Sequence, residues 1–199
     1  MRGVARLALT RPAFWAGLLV GGGLTAAAVT LPQVNWRLAA PPVDERPLTI
    51  RQDAKGDGRF GSPRSGRRVH RGVDLVAEVG SPVRAIRSGT VVQVGSHRGF
   101  GNFIELDHRH DLRSLYAHLR EVSVRSGQRV RQGMAIGTVG TTGNARSRWI
   151  SPHLHLEVWR GGEPVDPHSL GLAVVLPSAR PLPSLAGGSP ASDDASGGE

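Results

Sequence analysis

At 199 residues, the chain is long enough for one domain with appendages. It contains no cysteine, which excludes disulfides and thiolate ligands, so any metal site must be built from histidine and carboxylate. The formal charge is +9, and between Arg46 and Leu170 20 basic residues outnumber 11 acidic ones; such a surface favours anionic partners, but the arginines are scattered and aromatic residues make up only 5%, so nucleic acid is not expected among them.

Arg2, Arg6 and Arg11 precede an uncharged stretch, and Ala13 to Leu31 gives 19 residues, enough for one membrane-spanning helix. The basic flank places the N-terminus in the cytoplasm and everything after the helix outside it. Residues 1–31 are therefore expected to be a membrane anchor; the alternative is a cleaved signal, since Ala26-Ala27-Ala28 offers a cleavage site and would release the protein. Residues 32–57, with Pro41-Pro42 and Pro47, read as an extended linker.

From residue 58 to 170, short apolar runs alternate with glycines every eight to twelve residues, the pattern of a mainly β fold. Strands are expected at Val83–Ile86, Thr90–Val94, Asn102–Leu106, Ser114–Leu119, Ala135–Val139 and His153–Trp159. In the fourth, alternation places Leu115, Ala117 and Leu119 on one face and Tyr116 and His118 on the other. In the last it groups His153, His155, Glu157 and Trp159 opposite Leu154, Leu156 and Val158, a polar face beside an apolar one. Gly140 to Pro152 reads as a loop leading into His153. Residues 171–199 form a tail, and from Leu176 its Pro, Ser, Ala and Gly content predicts disorder.

Two histidine-containing clusters about eighty positions apart carry the chemistry, His70-Arg71-Gly72-Val73-Asp74 and His153-Leu154-His155. Together they hold enough nitrogen and oxygen donors for a catalytic zinc site, which takes three protein ligands and keeps a position open. In a straight strand His70 and Asp74 would lie roughly 13 Å apart, too far to share a metal. The backbone must bend, and Gly72 in the middle is suited to a bulge or turn. His153 and His155 share a face of an extended segment, about 6 to 7 Å apart, so one can bind metal while the other faces substrate. Either pattern alone is weak; His108-Arg109-His110 is a second H-x-H, and it sits in a charged run that reads as a turn.

Further elements accompany these clusters: Arg59-Phe60-Gly61, Gly80-Ser81-Pro82-Val83-Arg84-Ala85, Gly89-Thr90-Val91, Gly99-Phe100-Gly101-Asn102, Tyr116-Ala117-His118-Leu119, Gly127-Gln128-Arg129-Val130 and Gly140-Thr141-Thr142-Gly143. In this order they resemble the LytM/lysostaphin family of zinc endopeptidases over roughly Gly58 to Pro167. The resemblance implies an antiparallel, barrel-sandwich-like β domain that cuts peptidoglycan peptides in the cell envelope. It further implies that His70, Asp74 and His155 bind Zn²⁺ while His118 and His153 serve as catalytic histidines. None of the five is substituted. A catalytically silent module on the same fold, binding cell wall or activating an amidase, is the competing reading. A biotinyl or lipoyl carrier is disfavoured because the only lysine, Lys55, precedes the strands. Nothing in the sequence indicates the oligomeric state.

Overall fold

The computed structural model describes residues 38–177. The helix expected within residues 1–31 lies outside them, as does the expected 171–199 tail beyond residue 177; the start of that tail is ordered instead, with Leu172 buried in the core and Val174–Val175 forming a strand. Described residues form thirteen strands: β1 (Leu48–Thr49), β2 (Gln52–Asp53), β3 (Gly56–Asp57), β4 (Gly72–Val76), β5 (Pro82–Arg84), β6 (Gly89–His97), β7 (Gly101–Asp107), β8 (Leu112–Val122), β9 (Arg129–Val130), β10 (Ala135–Val139), β11 (His153–Arg160), β12 (Glu163–Val165) and β13 (Val174–Val175). Among them there are two single 3-10 turns, Gly143–Arg146 and Pro167–Leu170, no α-helix, and no helix long and apolar enough to cross a membrane. The six strands expected from periodicity are β5, β6, β7, β8, β10 and β11.

Nine strands make one antiparallel sheet in the order β12-β11-β8-β7-β6-β9, with β4 along β11 and β10 joining β8 to β5. Its apolar face follows from period-two alternation. Leu154, Leu156 and Val158 of β11 enter the core with Val73 and Leu75 of β4, Ile104 and Leu106 of β7, and Ile136 and Val139 of β10. Each large aliphatic side chain so buried contributes on the order of 1.5–3 kcal/mol. The opposite face of β11 is left for polar groups.

Three further features depart from the sequence reading. Residues 38–57, expected as a linker, join the domain: Val43, Leu48 and Ile50 are buried in the same core, β1 pairs in parallel with β13, and β2 and β3 form a hairpin. Strict alternation along β8 fails at His118. Ile104 pairs with Tyr116 but Asn102 with Leu119, so β8 carries one extra residue, a bulge. Leu119 consequently joins Tyr116, which pairs with buried Ile104, on the core face, whereas Leu115 and Ala117 pack with Phe103 in a separate cluster. Third, Gly72 lacks the left-handed backbone of a turn; a Cβ there would sit 2.3 Å from the Leu156 carbonyl oxygen. Its role is to let β4 approach β11.

The second H-x-H is a bend between β7 and β8, but His108 is buried. Its Nδ1–H donates to the Ser88 carbonyl at 3.0 Å and its Nε2 lies 2.8 Å from the Ser114 hydroxyl. That hydroxyl is 3.0 Å from the Tyr116 hydroxyl, which accepts from the Ile86 N–H. A buried polar chain thus crosses the core with its members partnered. Burial pushes the Tyr116 phenol up to about 12 and lowers the His108 imidazole.

Candidate functional site

Antiparallel pairing of β4 with β11 sets Asp74 directly opposite His155. His70 precedes β4; its backbone N–H bonds the Ser62 carbonyl, and its carbonyl accepts from Gly61. The chain therefore enters the strand from a segment paired with residues 61–62, and three donor atoms converge. His155 Nδ1 lies 2.8 Å from Asp74 Oδ1, His70 Nε2 lies 3.1 Å from that same oxygen, and the two nitrogens are 3.0 Å apart. In a tetrahedral zinc site with bonds near 2.0–2.1 Å, neighbouring ligand atoms are about 3.3 Å apart. The trio approximates one triangular face of that tetrahedron, and these residues form the His/carboxylate group suited to a metal ion among the described residues.

The atoms on the outer side of the trio are engaged as well. His70 Nδ1 is 2.9 Å from the Arg59 carbonyl, an acceptor only, so Nδ1 carries the proton and Nε2 is free to ligate. His155 Nε2 lies 3.1 Å from Glu157 Oε1, whose other oxygen accepts from the Trp159 indole at 2.9 Å. Asp74 Oδ2 accepts from Arg51 Nη2 at 2.9 Å. Every candidate ligand is thus held from behind, leaving one atom each to face the centre, as outer partners do in metal sites. The donor set fits zinc: two imidazoles and a carboxylate, all buried.

The charges agree. Burial would raise the Asp74 carboxyl, but hydrogen bonds from His155 and His70 hold it well below the usual carboxylate range. Burial would lower His155, yet the hydrogen bonds to Asp74 and Glu157 carry it up to about 9. The pocket favours positive charge between its carboxylates.

His118 and His153 stand beside this trio. The ring centroids of His118 and His153 are 4.9 Å apart, and His118 lies 5.7 Å from His155. His118 occupies the β8 bulge with φ 64°, left-handed backbone that a non-glycine residue seldom adopts. Its N–H donates to the Phe100 carbonyl and its Nδ1–H to the Thr142 carbonyl at 2.9 Å. Thr142 is fixed in turn: its hydroxyl accepts from the Asn102 N–H and donates to the Leu119 carbonyl. His153 donates Nδ1–H to the Ser151 carbonyl at 2.7 Å, and its Nε2 is 3.8 Å from Asp74 Oδ1. Both rings therefore carry their proton on Nδ1 and keep a lone pair on Nε2. Burial lowers His118 to about 3 and also lowers His153.

These groups line an open cleft of about 1630 Å³, with Phe100, Leu115 and Trp159 among its walls. Phe100 stacks on His155 with centroids 5.7 Å apart. The Gly140–Pro152 loop contributes Asn144, Ala145 and Ile150 to the cleft. Sequence reasoning assigns no role to Arg51, Thr142, Phe100 or Glu157. Glu157 leaves a signal, standing two residues beyond His155 on the same strand face, and Phe100 and Thr142 stand inside two of the accompanying motifs.

The model of peptidase family M23 matches residues 68–167. The chain belongs to peptidase family M23. It is 42% identical over 105 residues to the DD-carboxypeptidase/endopeptidase Mpg of Neisseria meningitidis serogroup B, covering 53% of this chain and 23% of that protein. With the murein hydrolase activator NlpD of Salmonella dublin it shares 32% identity over 153 residues, 76% of this chain and 38% of the relative. This M23 chain thus spans well under half the length of either. Among solved structures, the catalytic domain of the antimicrobial peptidase lysostaphin from Staphylococcus simulans is 34% identical at TM-score 0.51, over 60% of this chain and 92% of that one. A zinc-containing peptidase from Vibrio cholerae is 34% identical at TM-score 0.52, over 71% and 40%.

Proposed function

We propose that this M23 chain is a zinc-dependent endopeptidase that cleaves peptide bonds of bacterial peptidoglycan. The observation that carries the proposal is the convergence of His70 Nε2, Asp74 Oδ1 and His155 Nδ1 at 2.8–3.1 Å beside two further histidines. We assign those three residues as zinc ligands, with His118 and His153 as catalytic histidines. Bound there, zinc would polarise a peptide carbonyl and bring the pKa of a water near neutrality. The chain's own residues do the rest. Acceptor carbonyls of Thr142 and Ser151 hold His118 and His153 with Nε2 unprotonated, so each can take a proton at that atom and return it to the leaving amine. Once protonated, either Nε2–H can donate to the oxygen that gains charge during attack. Phe100 and Leu115 supply apolar wall on which a peptide can lie.

We place the domain outside the cytoplasm, in the cell envelope, held to the membrane by Ala13–Leu31; the basic Arg2, Arg6 and Arg11 flank supports this orientation. A second reading, a silent wall-binding or amidase-activating module, is favoured by the likeness to the activator NlpD; the intact set of five residues weighs against it. Digestion of purified peptidoglycan by the full chain, with fragments read by mass spectrometry, separates the two. Cleavage that a chelator abolishes and Zn²⁺ restores is expected. Stoichiometric zinc without any bond cleaved would establish the silent module instead.

A further inference from the structure

Residues 48–58 precede the span matched by the family model, yet they touch both halves of the site. Arg51 is 5% exposed. Its Nε and Nη2 donate to Asp74 Oδ2 at 3.3 and 2.9 Å, and its Nη1 to Asp53 Oδ1 at 2.6 Å. Backbone bonds press the same segment onto Asp74: Arg51 N–H donates to the Asp74 carbonyl, and Asp74 N–H to that of Gly58. A Cβ on Gly58 would meet the Asp74 Cβ at 2.7 Å, so nothing larger fits there. From Asp53 the contacts continue to the second half. Asp53 Oδ2 accepts the Ser151 N–H at 2.9 Å, and the Ser151 carbonyl accepts from His153 Nδ1–H at 2.7 Å.

A buried arginine is retained at low cost only when paired, and this one is paired to two carboxylates. Unrestrained, the Asp74 carboxylate could turn about its last bond and offer either oxygen or both. With Oδ2 occupied by the guanidinium fork, only Oδ1 faces His70 and His155. We infer that Arg51 and Asp53 form a positioning strap: Arg51 makes Asp74 a single-oxygen ligand, and Asp53, through Ser151, fixes which ring nitrogen of His153 holds the proton. This rests on the zinc-peptidase reading above. It extends the functional unit of this chain about twenty residues N-terminal to the family-matched span, which begins at residue 68.

The test uses the full chain and its Arg51→Gln, Arg51→Lys and Asp53→Ala variants. Zinc affinity is measured by competition with a chromophoric chelator, folding by circular dichroism of the metal-free protein, and the His153 tautomer by long-range proton–nitrogen NMR. Arg51→Gln should bind zinc on the order of 10–100-fold more weakly, the range seen when an outer partner of a ligand is lost. Arg51→Lys keeps the charge without the fork and should fall between; it decides the matter if Arg51→Gln does not fold. Asp53→Ala should shift the His153 proton from Nδ1 while zinc stays bound. Folded Arg51 variants that bind zinc within about twofold of the parent, well below that range, would overturn the strap, as would an unchanged His153 tautomer in Asp53→Ala. Failure of the unaltered chain to bind zinc would overturn the zinc reading itself, and the strap with it.

Discussion

Gly72→Ala tests how closely the two ligand-bearing strands must approach. The added Cβ would lie 2.3 Å from the Leu156 carbonyl oxygen, 2.8 Å from its carbon and 3.0 Å from Glu157 Cγ. Ordinary contact begins about 1 Å farther out, and a backbone oxygen in a sheet ladder cannot rotate aside. β4 must therefore move away from β11 by on the order of 1 Å, and such overpacking with loss of ladder hydrogen bonds costs about 2–4 kcal/mol. For a domain of this size that lowers Tm by roughly 5–15 °C. Asp74 and His155 face each other two residues from the clash, and metal sites tolerate ligand displacements of only about 0.2 Å. Zinc affinity should fall with stability. Gly127→Ala is the control: Gly127 has φ +82, and a methyl group there would have no atom within 4 Å, so the variant carries dihedral strain of only about 1 kcal/mol and should leave zinc binding intact. Thermal melts of the metal-free proteins and chelator competition read both effects. Equal melting temperatures for the two variants, with parental zinc affinity in Gly72→Ala, would refute the close-approach argument.

The proposed ligand and catalytic histidines should fail differently. His155→Ala is expected to lose both zinc and turnover, whereas His118→Ala and His153→Ala keep zinc and lose activity by about 10²-fold or more; metal analysis of folded variants decides, and release of zinc by His153→Ala with retention by His155→Ala would reverse the assignment. His108 gives a pH signature away from the site. Its folded pKa lies below 6.5, chiefly through burial, so the unfolded chain binds more protons, and its stabilising contribution is complete above pH 6.5 and lost as pH falls below it, by at most about 1.4 kcal/mol per pH unit. Urea midpoints at pH 7.5 and 5.5, compared with those of His108→Gln, should show that extra acid sensitivity in the parent alone; parallel losses in both would exclude it. Lys55, Arg67, Arg68 and Arg71 are exposed along the cleft, and reversal of Arg67 and Arg68 to Glu should raise KM for anionic wall peptides by on the order of tenfold at low salt. An unchanged KM would show that this rim does not meet substrate.

Much of the site was legible in the chain because strands impose a period of two. The grouping of His153, His155, Glu157 and Trp159 opposite Leu154, Leu156 and Val158 holds in the structure, where the second set enters the core and the first lines the cleft. Reach alone also separates His70 from the strand that carries Asp74, since a straight strand keeps them roughly 13 Å apart, and His70 lies outside β4. Local reasoning fails where backbone from elsewhere intervenes. Spacing suits Gly72 to a turn, but its role is an approach to Leu156; alternation puts Tyr116 on one face with His118, but a bulge between them parts the two, Tyr116 in the core and His118 beside the cleft. Both outcomes depend on register against another strand, which periodicity along one segment does not contain.

The sequence by itself determined the donor types, because a chain without cysteine can offer a metal only imidazole and carboxylate. It also determined the β class and the polar face of β11, because alternation is a property of consecutive residues. Only the tertiary structure decided that residues 38–57 belong to the domain and that Arg51 reaches Asp74, 23 positions away. A buried guanidinium finds its carboxylate through the packing of the whole fold, and no spacing along the chain records that meeting.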